Sequence, residues 1–488
     1  MRKQFRILVC FLLFLCLPVL ARAENARDIS GTGCVTDSSG FAKLGALFDG
    51  HTKTGYKGAD HAWLTLESPE GIGSLYLIFD TEYGLFTLTD NDSGQTVTLG
   101  EDNFLHTFVP VEECFGQVPK SVTLSFDSGP VPLLELSVFT PGEVPDTVQR
   151  WEKPIENGAD LVLFSTHADD EQLFFAGVLP YYAGELGYRV QVVYLTNHRN
   201  LSKDANLRCH EALDGLWSVG VRAYPVFGQF GDYFTRNLKD GYSIFHIMGV
   251  TDEELLSYVV EQIRRFRPQV AVGHDLNGEY RHGEHMVYAD LLTKAVEITA
   301  DPEQFPESAE RWGVWDVPKL YLHLYEENPI VMDWDRPLSN FGGMTAFQVT
   351  KELGFPCHAS QQLDFAWYMS GAELATQVQK YSPCNYGLYR TTVGEDVEKN
   401  DFFEHLTSYA QQEAQAAREE EERRRAEEEA ARLLTQPSTE LETLPTEPQS
   451  PPTAARFPGI LWVSALFAAL AAALLILLCW SRRKKKNN

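Results

Sequence analysis

Three short runs, "DLVLFSTH" (160–167), "RVQVVYLTNH" (189–198) and "QVAVGHD" (269–275), constrain this chain more than anything else in it. Each is apolar on consecutive positions instead of every second one, the pattern of a strand buried on both faces of a parallel sheet. Helical patterns lie between and after them: "EQLFFAGVLPYYAGELG", "SKDANLRCHEALDGLWSVG", "DEELLSYVVEQIRRFRP" and "HMVYADLLTKAVEIT". Strand and helix alternating in this way predict an α/β domain over 151–410, a Rossmann-like, doubly wound and mostly parallel sheet. In such sheets ligands bind beyond the C-terminal ends of the strands.

The residues before it read differently. "AWLTLES", "SLYLIFD", "LFTLTD", "SVTLSFD" and "LLELSVFT" are short strands separated by Gly, Pro, Asp and Asn. That spacing predicts an all-β, jelly-roll-like sandwich over 24–150. "LFDGHTKTGY" followed by "AWLTLE" resembles the start of discoidin and coagulation-factor type C domains, a resemblance that implies a galactose-binding-like fold and carbohydrate binding; a spacer or packing role is the competing reading.

The two ends predict a membrane-tethered protein. Arg2, Lys3 and Arg6, the run "ILVCFLLFLCLPVL" and the "ARA" ending at Ala23 have the order of a secretory signal peptide, residues 1–23. Residues 457–480 contain "ILWVSALFAALAAALLILLCW", long enough to cross a bilayer as a helix, and the basic tail 481–488 marks a cytoplasmic flank. A charged helix over 411–434 and a Pro-rich linker over 435–456 complete a stalk. The expected location is therefore the cell membrane, single-pass, with the N-terminal part outside the cell.

A formal net charge of −27, from 41 basic and 68 acidic residues, argues against a nucleic-acid partner, because neutralising phosphates requires a basic surface. Outside the cell, disulfides can persist. Neighbourhood along the chain pairs Cys34 with Cys114 and Cys357 with Cys384, leaving Cys209 alone. No C-x-x-C spacing supports a zinc–thiolate site.

The chemistry concentrates at two strand ends. "STHADDE" follows the first buried strand, and "GHDLNGEYRHGEH" follows the third. His167 and Asp170, with a histidine from "HGEH" (His282 or His285), form a plausible two-His, one-carboxylate triad for zinc or ferrous iron. Asp169 beside it could take a proton from an activated water. Taken singly, each piece has an ordinary reading: acids at a helix start favour the helix dipole, and "HGEH" could be a surface helix start.

"THADDE", "RCHEAL" and "YRHGEH" together resemble the three ordered motifs of the PIG-L/LmbE-like deacetylases over about 158–410. The resemblance implies a divalent metal, zinc first and Fe2+ as the alternative, held by His167, Asp170 and His285. It implies Asp169 as general base, and His282 as oxyanion stabiliser or proton donor to the leaving amine. Tyr280 would polarise the acetyl carbonyl, and Arg208 would contact substrate hydroxyls. The implied activity is removal of acetyl from N-acetylglucosamine-type sugars in a glycan or glycoconjugate. Two other readings stay open, a degenerate fold that binds surface glycans and an amidase acting on another N-acyl sugar conjugate. The chain departs from the family at Ala168 (usually Pro), Glu284 (usually Asp) and His198 (usually Gly). His274 and Asp275 read as supporting or structural, His210 as ordinary, and His358 as structural.

Overall fold

The alternation in "AWLTLES" is realised directly: Ala62, Leu64 and Leu66 are buried while Trp63 is 37% exposed. A computed structural model describes residues 25–435 apart from 53, 55–57, 102–103, 198–205 and 370. Its N-terminal strands are β1 (Val35–Ser39), β2 (Ala62–Glu67), β3 (Ser74–Phe79), β4 (Phe86–Asp90), β5 (Thr96–Leu99), β6 (His106–Val109), β7 (Ser121–Phe126) and β8 (Leu133–Phe139). They form two antiparallel sheets, in the orders β1-β2-β7-β4-β5 and β6-β3-β8. Leu64, Leu66 and Leu124 from one sheet share a core with Leu75, Leu77 and Leu136 from the other.

The second region is built on β9 (Leu161–Ser165), β10 (Val190–Tyr194), β11 (Val270–Gly273), β12 (Lys319–His323), β13 (Pro329–Val331) and β14 (Asn385–Thr391), in the order β10-β9-β11-β12-β14-β13. The first four are parallel, and β14 and β13 close the edge antiparallel, so the sheet is mixed. Successive residues of β9 point to opposite faces: Leu161 and Leu163 join one core, Val162 and Phe164 another. Both faces are therefore covered, which is why the strands carry no polar alternation. From β9 the chain goes to β10 on one side and then crosses to β11 on the other. That reversal opens a crevice at the C-terminal ends of β9 and β11, where both motifs lie.

The two regions share a buried interface. Leu105 packs with Cys209, Leu213 and Tyr224, and Phe104 stacks on Phe227 at 5.6 Å. At its centre His106 Nε2 and His210 Nδ1 are 2.8 Å apart, with the Tyr76 hydroxyl 2.7 Å from His106 Nδ1. Burial holds His106 well below the usual imidazole range and His210 down at about 4. Both rings are therefore neutral in the folded state, while the unfolded chain takes up protons first as pH falls. Stability is fully present above about pH 6.5 and is lost as the pH falls towards 4, by roughly 3 kcal/mol for His210 alone. Nearby Asp214, pushed by burial up to about 6, titrates in the opposite sense. The expected result is thus a difference: in urea unfolding, wild type should lose more stability between pH 6.5 and 4 than His210→Leu. Equal pH profiles would count against the neutral pair.

Two expectations are corrected. Among the described residues no helix is long and apolar enough to cross a membrane. The long helix near that end, Tyr409–Thr435, is dominated by Glu and Arg and cannot enter a bilayer. The segments 1–23, 457–480 and 481–488, together with nearly all of the linker, lie outside the described residues, so the membrane location has no structural basis here. The cysteine pairing is also overturned: Cys34 and Cys114 form no disulfide, and neither do Cys357 and Cys384. Cys34 Sγ donates to the Gly31 carbonyl and Cys357 Sγ to that of Leu353, so these sulfurs are engaged locally.

Candidate metal centre

Where β9 ends, the chain turns sharply before the helical turn Asp170–Leu173. His167 Nδ1 lies 3.1 Å from Asp170 Oδ2 and 3.3 Å from His285 Nε2, and His285 Nε2 lies 3.2 Å from the same Asp170 oxygen. His285 arrives on the helix Gly283–Ile298, which follows β11. All three side chains are buried. Donors bound at 2.0–2.1 Å around a tetrahedral ion stand about 3.3–3.4 Å apart, so this triangle is close to the size a zinc-like ion requires.

The outer nitrogens make the same point. His167 Nε2 donates to Glu284 Oε2 at 2.8 Å, and His285 Nδ1 donates to Glu279 Oε2 at 2.7 Å. With each outer nitrogen committed as a donor, the inner nitrogens keep lone pairs aimed at one point. This carboxylate–imidazole arrangement fixes the tautomer and ring orientation of metal-ligating histidines. The electrostatics agree. Burial alone would keep Asp170 protonated, but His285 and His167 hold it well below the usual carboxylate range. Burial also opposes charge on His285, yet Asp170 and Glu279 lift it to about 9. The cluster favours positive charge at its centre, and the donor set fits a divalent ion.

Glu279 is a hub that the sequence did not reveal. Wholly buried, it accepts from His274 Nδ1 at 2.8 Å, from His323 Nδ1 at 2.6 Å and from the Asp275 amide at 3.2 Å, besides His285. His274 Nε2 in turn accepts the Thr166 amide at 2.9 Å, tying the end of β11 to the end of β9. The supporting reading of His274 thus has a geometric basis.

Asp169 follows the turn with φ +136°, a backbone conformation that residues with a side chain rarely adopt and one that costs of order 1–3 kcal/mol. Its amide donates to Glu171 Oε2 at 2.8 Å. Its Oδ1 accepts from Arg208 Nη2 at 3.1 Å, while the buried Oδ2 has no hydrogen-bond partner among the described residues. Burial pushes this carboxyl up to about 7, against the pull of Arg208. Arg208, on the helix Leu207–Ser218, also donates to the Ala168 carbonyl at 2.8 Å and to Asp232 at 3.0 Å. Its guanidinium is engaged by protein groups. Asp232 was not foreseen; it lies in a loop with no periodicity and comes within 3.5 Å of His167 Nε2.

His282 and Tyr280 form the wall. The His282 ring lies 4.8 Å from that of His167 and 4.7 Å from that of His285. Its Nδ1 accepts the Glu284 amide at 3.2 Å, so the neutral ring carries its proton on Nε2. Burial and the two neighbouring histidines hold it down at about 2. The Tyr280 ring is 5.4 Å from that of His282, and its hydroxyl is pushed upward by burial and by Asp170. Glu284 has a second contact: its Oε1 accepts the Tyr233 amide at 2.6 Å. Through it the His167 environment is joined to the loop bearing Asp232 and the half-exposed Phe234. Gly283 lets that loop close, since a Cβ there would sit 1.9 Å from Thr235 Oγ1. His198 lies outside the described residues.

Residues 162–296, which supply all of these groups except His323, match the family described as PIG-L: GlcNAc-PI de-N-acetylase. The 1D-myo-inositol 2-acetamido-2-deoxy-alpha-D-glucopyranoside deacetylase 1 of Catenulispora acidiphila is 27% identical over 216 residues, covering 40% of this chain and 65% of its own length. A deacetylase with the same substrate name from Streptomyces avermitilis is 26% identical over 287 residues, covering 50% of this chain and 96% of its own. The chain spans 65% of the length of the first two such relatives. Among solved structures, N,N'-diacetylchitobiose deacetylase from Pyrococcus horikoshii aligns with a TM-score of 0.32 and 14% identity, over 47% of this chain and 83% of its own.

Proposed function

Residues 162–296 belong to the PIG-L family, and from that premise we propose that the chain is a metal-dependent N-deacetylase hydrolysing the acetamide of N-acetylglucosamine-type sugars in a glycan or glycoconjugate. The observation that carries this reading is the convergence of His167 Nδ1, Asp170 Oδ2 and His285 Nε2 within 3.1–3.3 Å, with Asp169 next in the chain. A divalent ion held there, zinc before iron, would supply an activated water and polarise the acetyl carbonyl.

The chain's own residues supply the rest. Asp169 takes the proton of the attacking water through Oδ2, the oxygen with no hydrogen-bond partner among the described residues, while Arg208 holds Oδ1. A base whose pKa is pushed up to about 7 is matched to work near neutrality. His282, with its proton on Nε2, donates to the oxyanion that develops on the acetyl oxygen. Tyr280 adds a second donor on the same side. Arg208 orients the base, a role added to the contact with sugar hydroxyls expected from the family. The mixed sheet is read as Rossmann-like, and the N-terminal sandwich as a jelly-roll-like glycan-binding module.

The test is acetate release by metal-loaded protein from a panel of N-acetylated sugars and oligosaccharides. Release that disappears after chelation and returns with Zn2+ is expected. Stoichiometric metal with no release from any N-acetyl substrate would overturn the reading, and glycan binding without metal would favour a binding protein.

A further inference from the structure

Asp169 is gripped twice, once by its carboxylate and once by its backbone, and the second grip leads out of the matched segment. Its amide donates to Glu171 Oε2 at 2.8 Å, and the other oxygen, Glu171 Oε1, lies 2.8 Å from His358 Nε2. Glu171 and His358 are both wholly buried, at 1% and 0% exposure. His358 Nε2 faces this oxygen at N–H donor distance, off the straight line of a hydrogen bond. His358 follows the turn Phe355–Cys357, far from the matched residues 162–296 in sequence. Its position is set from the helix Leu207–Ser218: Glu211 accepts both the Ser360 amide at 2.9 Å and the Ser360 hydroxyl at 2.6 Å. Gly215 on that helix faces the His358 ring, where a Cβ would come within 3.0 Å of Nε2. Arg208 and Glu211, one turn apart, thus reach Asp169 by two routes, directly and through Ser360, His358 and Glu171.

We propose that His358, acting through Glu171, is a positioning residue that holds Asp169 in its strained backbone conformation and so keeps the carboxylate aimed at the metal centre. Without His358, the buried Glu171 carboxylate keeps the Tyr194 hydroxyl but loses its histidine partner, and it would swing toward the remaining donor and release the Asp169 amide. The φ of +136° would then relax to an ordinary value, carrying the side chain away from its place. This inference rests on the reading of Asp169 as the base.

The experiment uses the full chain loaded with Zn2+ and three variants: His358→Phe, which keeps the ring and removes both nitrogens, His358→Gln, which restores a donor at the Nε2 position, and Glu171→Gln. Two readouts are taken together: kcat and KM for acetate release, and hydrogen exchange at the Asp169 amide. In His358→Phe, kcat should fall by about 10- to 100-fold, the range for residues supporting a metal site, with KM and metal content unchanged and faster exchange at that amide. His358→Gln should recover most of both, and Glu171→Gln should resemble His358→Phe in kcat. Unchanged amide exchange in His358→Phe overturns the strut whatever the activity. Faster exchange with unchanged kcat, or a fall in kcat that follows loss of metal or fold and is not rescued by His358→Gln, overturns the positioning role. Wild type that releases no acetate from any substrate refutes the deacetylase reading instead, and amide exchange still decides whether the strut exists.

Discussion

Asp169→Asn should slow acetate release by about 10²- to 10⁴-fold while leaving the metal bound, the loss expected when a positioned general base is removed. The prediction is specific because of the asymmetry of this carboxylate. Arg208 and the Ala168 turn fix one side of it, and the other oxygen is buried without a partner among the described residues. Asn keeps the side-chain volume and an oxygen for Arg208, so the fold and the three candidate ligands should survive. What it cannot do is accept a proton. KM should change little, since the lost interaction is made in the transition state. Metal stoichiometry by elemental analysis and steady-state acetate release on the same preparation check it together. Full activity in Asp169→Asn would remove Asp169 from the mechanism, and loss of metal alongside activity would make it a ligand instead of a base.

The parts of this site that were legible in sequence are those set by local spacing. A buried strand, a tight turn and a helix start bring His167, Asp169 and Asp170 within a few residues, and "YRHGEH" does the same for Tyr280, His282 and His285. The three apolar runs were legible for a related reason: burial on both faces leaves a composition that few other structures share. The antiparallel β13 and β14 were not visible, because a three-residue strand such as "PIV" has too few positions to show a period. Asp232, Glu279 and His323 escaped for a different reason. Asp232 and His323 act through partners distant in sequence, and nothing around them sets them apart from an ordinary loop acid or strand histidine. Glu279 lies within six residues of His274, Asp275 and His285, but in irregular backbone whose spacing does not show that their donors converge on it. The 1–23 and 457–480 readings rest on composition and have no described structure to meet.

Glu279→Gln should be the most damaging single change outside the candidate ligands. This carboxylate is wholly buried and receives four donors: His274 and His285 at Oε2, His323 and the Asp275 amide at Oε1. His274, His323 and the other groups around it hold it well below the usual carboxylate range despite burial. An amide of the same size turns one acceptor into a donor facing N–H groups, whichever way it flips. If the NH2 replaces Oε2, His274 and His285 lose their acceptor together, and if it replaces Oε1, His323 and the Asp275 amide do. His323 Nε2 also faces the Ser382 carbonyl at 3.0 Å, so that ring cannot turn to find relief without giving up its second partner. Breaking a buried charged group of this kind costs about 3–5 kcal/mol, and each orphaned donor adds to the penalty. The functional consequence follows from His285. Its Nδ1 proton is held outward by Glu279, so without that acceptor the ring is free to rotate or change tautomer and spoil the lone pair aimed at Asp170 and His167. Metal affinity should fall by at least 10- to 100-fold, read by competition with a chromophoric chelator, and the urea midpoint should fall with it. Glu279→Gln protein that binds Zn2+ like wild type at an unchanged midpoint would show that the hub supports neither the fold nor the ligand. Addition of saturating Zn2+ separates the two effects. It should restore part of the activity if His285 still reaches the centre, because mass action offsets weak binding. Bound metal raises the midpoint of wild type and variant alike, so the stability lost at His274 and His323 is read as the difference that remains between them at saturating Zn2+.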